Sequence, residues 1–266
     1  MLLAEIGGLF RRARVRVLLG VLVAVPFFLS VALRLSGGPR AGGGPTFVDR
    51  VTHNGVFAAL AGLVVTVPFF LPLTVSVVAG DAIAGEASLG TLRYLLARPS
   101  GRTRLLGTKS AAVAVFCLAA AGCVAAGGLI AGVLLFPLGR VVTLSGTTIS
   151  FEAGLWRTLL ATAVVAGSLA GLATVGLFLS TMTDAPVGAM AGTIGVAVLS
   201  AVAANVPQLS SVHPWLLTQG WESFSDLLRV PIRWSAIRRD LLLQLGYVAV
   251  FWSAAWARFT TKDVLA

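Results

Sequence analysis

The residues best suited to recognition chemistry fall in one segment, Gly80–Lys109. It carries Asp81, Glu86, Arg93, Arg98, Arg102, Arg104 and Lys109, punctuated by Gly80, Gly85, Gly90 and Pro99. The flanking runs, Gly55–Gly80 and Ser110–Gly139, contain no charged residue. Both are long enough to cross a bilayer, so the segment reads as a short basic loop held at a membrane surface. Its pattern predicts that Gly80 ends a span, that Gly85 turns the chain, and that a helix of about three turns follows from Glu86 to Ala97. Glu86 would lie in the first turn and Arg98 at the end, where the helix dipole favours each charge. Leu89, Leu92 and Leu96 share one face, and Glu86, Gly90 and Arg93 the adjacent one. Pro99 disfavours helix in the residue before it and stops the run. Such an amphipathic helix offers a docking surface. The plainer reading is a connector anchored to lipid headgroups.

The rest of the chain is apolar. It is 57% hydrophobic and 11% charged, against roughly 25% charged residues in soluble domains, with a mean hydropathy of +0.94. Composition therefore predicts an all-α membrane protein with six transmembrane helices, forming a single domain over residues 1–266. The spans are placed at about 17–33, 57–79, 111–136, 159–182, 186–204 and 241–257. Pro68 and Pro72 interrupt the second. Glycines and alanines in spans three to five favour close helix contact. Residues 1–16 read as an amphipathic surface helix, with Leu2, Ile6, Leu9 and Phe10 at helical spacing and Arg11, Arg12 and Arg14 at its end. The loop 205–240 holds Trp215, Trp221 and Trp234 and reads as an outer aromatic loop that dips into the interface.

The charge pattern sets orientation and excludes a nucleic-acid partner. The formal charge is +10, but the basic residues cluster between apolar runs, and no basic stripe alternates with stacking aromatics. Anionic lipid headgroups are the expected partners of this charge. Dense clusters near the first three spans place both termini in the cytoplasm. The preference for arginine over lysine, with abundant Ala, Gly and Val, points to a GC-rich genome and hence to a bacterial cytoplasmic membrane.

Catalytic signatures are missing from the pattern. His53 and His213 are isolated in loops, and Cys117 and Cys123, six residues apart in one run, fall on different helix faces. No H-E-x-x-H, paired intramembrane glutamates or G-x-S-x-G occurs. Two near-motifs mislead. Leu35-Ser36-Gly37-Gly38-Pro39 lacks the glutamine of an ATPase signature loop. Gly107-Thr108-Lys109-Ser110 has threonine where a phosphate loop needs glycine. The expectation is no catalytic residue, no metal and no cofactor in this chain, so that it is not itself an enzyme.

The run Asp81-x-x-x-Gly85-Glu86-x-x-x-Gly90-Thr91-Leu92-Arg93-x-Leu95-Leu96-Ala97-Arg98-Pro99, followed by Arg102 and Lys109, resembles the ABC-2 type permease family, the membrane subunits of ATP-binding-cassette transporters. The resemblance extends to the plan of the chain: a basic N-terminal helix, six spans, this loop between spans two and three, and an aromatic loop between five and six. It implies that Glu86–Arg98 is a coupling helix seated on an ATPase subunit. Asp81, Gly85, Glu86, Gly90, Thr91, Leu92, Arg93, Leu96, Arg98 and Pro99 would be its coupling positions. The basic N-terminal helix, with Arg11, Arg12 and Arg14, would be a connecting helix. Two permease chains, as homodimer or heterodimer, would pair with two ATPase subunits that hold Mg-ATP. Export of a hydrophobic or amphipathic cargo of the drug, peptide or lipid type is the implied activity. The alternatives are a permease for polysaccharide or cell-envelope glycolipid, and a non-transporting membrane scaffold or sensor.

Overall fold

A computed structural model describes residues 1–35, 51, 54–90 and 101–261. Among these, the chain is mainly helical. Helix α1 is Leu2–Arg11 and α2 is Ala13–Leu35, with a bend at Arg12 between them. Helices α3, Val56–Thr66, and α4, Phe70–Ser88, are separated by a short break. The 34-residue α5, Arg102–Leu135, is about 50 Å long at 1.5 Å per residue. A two-residue hairpin, β1 Val141–Val142 with β2 Thr148–Ile149, leads into α6, Phe151–Ser168, and α7, Ala170–Met182. Helix α8 is Pro186–Ala204 and α9 is Trp234–Thr261, joined through three 3₁₀ turns. Six helical stretches are long and apolar enough to cross a membrane: α2, α4, α5, α6 with α7 as one unit, α8 and α9.

Six helices of span length therefore exist as expected, with four corrections. The second was placed at 57–79, but the helix breaks around Val67–Phe69, where Pro68 removes an amide donor, and α4 alone is the span-length piece. Pro72 sits in the first turn of α4, where a missing amide costs little. Helix α4 also runs straight through Gly80 and Gly85 to Ser88, so neither glycine ends it. Residues 12–16 do not extend the surface helix, because Arg14 and Arg16 lie in the first turn of α2. The aromatic loop ends earlier than expected: residues 234–240 are the first turns of α9. It forms the 3₁₀ turns Pro207–Leu209, His213–Trp215 and Ser223–Leu228.

Helix α5 is the axis of the bundle, with α2, α3 and α6 packed along it. Its small residues make this possible. A Cβ added at Gly128 would run into the backbone of Ala58 and Ala59, and one added at Gly132 into the backbone of Gly55. The helices thus touch backbone to backbone, the geometry that small residues permit between apolar helices. Contacts at the ends fix the direction of each helix. Lys109 near the start of α5 meets Glu5 of α1, while Arg102 donates to the carbonyl of Thr260 at 2.9 Å. The first helix and the end of α9 thus lie at the same end of the bundle, here called the charged end. The hairpin, the 3₁₀ turns and the start of α9 lie at the opposite end, where Arg157 donates to the carbonyl of Leu227 at 3.0 Å. We expect Gly128→Leu to lower stability by about 1–3 kcal/mol, the usual cost of overpacking, read as a fall in melting temperature in detergent. The same change at Gly122, where nothing lies within 4 Å of the added carbon, should leave it near the native value.

Candidate functional site

Four helices converge at the charged end, and each brings a charge. Near the last turns of α4, Asp81 is 4% exposed. It accepts a hydrogen bond from Arg12 at 2.7 Å and another from Arg14. Five residues on, Glu86 faces Lys109 of α5. Lys109 is 3% exposed and donates to Glu86 and, at 2.7 Å, to Glu5 of α1. One lysine therefore ties α1, α4 and α5 together, and Asp81 ties α4 to the α1–α2 bend.

The two halves of this cluster differ in strength. Both arginines on Asp81 are more than a third exposed, so solvent screens them, and each pair contributes about 1 kcal/mol or less. Lys109 lies out of solvent between two carboxylates. Removing one partner of such a pair costs about 3–5 kcal/mol, because the other charge stays buried without compensation. Aromatic packing reinforces the joint: Phe10 of α1 lies 6.4 Å from Phe116 of α5, ring centre to ring centre.

A second device holds α4 from the other side. The Ser180 hydroxyl of α7 accepts from the amides of Ile83 and Ala84, at 3.0 and 2.8 Å, and donates to the carbonyl of Gly80 at 2.7 Å. Ala84 N and Gly80 O are the i and i−4 partners that a regular helix joins directly. The hydroxyl bonds to both members of that pair, a recognised cause of local helix bending. Gly80 also faces α8, where an added Cβ would lie 2.7 Å from the amide nitrogen of Met190. Asp81 and Glu86 are thus carried on a stretch clamped by α7 and α8 as well as by α1 and α5.

The residues expected to form a coupling helix are distributed differently from the sequence pattern. Asp81, Gly85 and Glu86 belong to the end of α4, and Gly85 is buried against the Asp81 carboxylate. Glu86 does not open a new helix, because its carboxylate is drawn to Lys109 and the α4 ladder continues to Ser88. Gly90 follows with φ of +67°, a left-handed conformation that glycine adopts without strain. Thr91, Leu92, Arg93, Leu96, Arg98 and Pro99 lie outside the described residues. Arg11 is exposed at the end of α1. The false phosphate-loop match, Gly107–Ser110, is helical, and its Thr108 and Ser110 hydroxyls donate to carbonyls one turn back. Cys117 and Cys123 are free thiols, with Cys117 buried.

Three spaces adjoin these elements. A cleft of about 670 Å³ at the charged end is lined by Arg12, Arg14, Asp81, Ser88, Leu89 and Pro186. An apolar cavity of about 600 Å³ lies between α5, α6, α7 and α9, among Val113, Cys117, Ala166, Thr174, Leu177 and Trp252. At the opposite end a cavity of about 430 Å³ is lined by Asp240, which the sequence did not single out. Its only sequence signal is a carboxylate directly beside an apolar run.

A family model described as "Protein of unknown function (DUF2705)" matches residues 41–265. The chain belongs to this family. The matched stretch takes in Asp81, Glu86, Lys109, Ser180 and Asp240, whereas α1 and α2 precede it. No curated protein matches the chain.

We expect Lys109→Met to lower the unfolding free energy by about 3–5 kcal/mol, since Glu86 is left buried beside Glu5. Lys109→Met combined with Glu86→Gln should recover a large part of that loss. A thermal or denaturant melt of the three proteins reads both the loss and its non-additivity.

Proposed function

We propose that this chain is the membrane permease subunit of an ATP-binding-cassette exporter of the ABC-2 type. The observation that carries the reading is the buried Lys109–Glu5–Glu86 junction beside Asp81–Arg12–Arg14. It joins the amphipathic first helix to both helices that flank segment 91–100, at a single end of the bundle. A force applied to that segment would reach α1, α4 and α5 together. The resemblance of residues 81–99 to the coupling segment of ABC-2 permeases supplies the source of the force: an ATPase subunit bound at the charged end. That end would be cytoplasmic, in a bacterial plasma membrane. A second permease chain would complete the transporter, and the Mg-ATP would be held by the ATPase. The apolar cavity beside Trp252 and Cys117 suits a hydrophobic or amphipathic cargo.

The structure changes which substitutions test this reading. Glu86→Arg would set a second cation against Lys109 and so disturbs packing before docking. Gly90→Trp and Arg93→Glu act beyond the packed end of α4. An ATPase encoded with this chain should copurify with it. Arg93→Glu should reduce transport or cargo-stimulated hydrolysis at least tenfold, while membrane insertion and melting temperature stay native. If no ATPase associates with the chain, or if both variants transport at the native rate, the reading fails.

A further inference from the structure

At the end of the bundle opposite the charge cluster, Asp240 is 2% exposed in the second turn of α9. Its carboxylate accepts from the Ser168 hydroxyl of α6 and, at 3.1 Å, from the Gln244 amide one turn on. Gln244 also donates to the carbonyl of Leu217 at 3.0 Å. Among the described residues no basic nitrogen comes within 4 Å of this carboxylate. Buried carboxylates are ordinarily paired with a cation, because neutral donors compensate only part of the lost hydration. A carboxylate offers about four acceptor positions; Ser168 and Gln244 occupy two of them, and the Ser223 hydroxyl lies beside the group.

Asp240 lines the cavity of about 430 Å³ together with Ser210, Gln219, Glu222 and Ser223. Two basic side chains share the wall. His213 cannot serve as a free acceptor at Nε2, because that nitrogen lies 3.1 Å from the carbonyls of Ala203 and Val206 and must carry the proton. Arg239 is exposed, so its charge stays solvated at the mouth. The cavity therefore holds one buried acid, one exposed acid in Glu222, and no buried cation to answer them. Leu243 adds an apolar wall.

We propose that this cavity binds the ammonium group of an amphipathic molecule, with Asp240 as its counter-ion and Glu222 at the entrance. The Ser168 and Gln244 donors hold the carboxylate in place, and Asp240 is part of the cavity wall. Two sources share this chemistry, a diffusible amphipathic amine and an aminated lipid headgroup. The inference rests on the proposed transport function only in treating the bound amine as cargo. Binding itself needs no ATPase, so its failure and the failure of the transporter reading are separately visible.

The test is a calorimetric titration of the purified full chain in dodecyl maltoside, a neutral detergent, with octylamine and with octanol. At neutral pH the amine is protonated and the alcohol is not. Octylamine should saturate at least tenfold more tightly than octanol. Asp240→Asn should abolish that preference, and Ser223→Leu, which fills the cavity, should abolish amine binding. Equal binding of amine and alcohol to the native chain overturns the proposal, as does an unchanged preference in Asp240→Asn. If Asp240→Asn does not fold, native binding by Ser223→Leu overturns it equally. Added phosphatidylethanolamine should compete with octylamine if lipid headgroups are the occupant. It should leave binding unchanged if the occupant is a diffusible amine.

Discussion

The burial of a single ammonium group, that of Lys109, constrains the charged end of this bundle. A lysine that deep in an apolar chain requires anionic partners close by, and the fold supplies Glu5 from one direction and Glu86 from another. To bring Glu5 there, α1 must fold back against α5. To bring Glu86 there, α4 must stay helical past Gly85. The bend at Arg12 and the pairing of Arg12 and Arg14 with Asp81 follow from the same geometry. One electrostatic requirement thus sets the attitude of three helices around the segment most suggestive of partner binding.

Packing completes what charge begins. Along α5, glycines admit neighbouring backbones, and at the end of α4 the Ser180 hydroxyl and the close approach of α8 at Gly80 hold the acidic residues in place. The charged end is therefore held by both charge and close packing where it meets the bundle. The opposite end is built from short 3₁₀ turns held by side-chain bonds to backbone carbonyls, such as Gln244 to Leu217 and Tyr247 to Trp215.

Hydropathy made the span-length helices legible. Helix α8 begins and ends where the apolar run predicts, because Pro186 marks its first turn and Asn205 its end. The segment around Glu86 was harder to read. Glycines at 80 and 85 look like helix breakers in sequence, yet inside a packed bundle they mark places where neighbours approach closely, and tertiary contact overrode propensity. The ion pairs were invisible for a related reason. Asp81, Glu5 and Lys109 are separated by long stretches of chain, and no periodicity links them. Asp240 was missed because a carboxylate beside an apolar run reads as the last residue of a loop. Only the fold shows it buried against Ser168 of a different helix.

The central proposal is that segment 91–100, which follows α4 and precedes α5 in the chain, seats on an ATPase. The most direct measurement is site-directed crosslinking in native membranes. Cys117 and Cys123 are replaced by alanine, Arg93→Cys is introduced, and a short thiol-to-amine crosslinker is added before and after ATP. The account predicts a crosslinked product between this chain and an ATPase subunit whose yield changes with ATP. No product should form from an equivalent Arg229→Cys at the opposite end. Crosslinking of Arg93→Cys only to lipid or to unrelated proteins, with no ATP dependence, would contradict it.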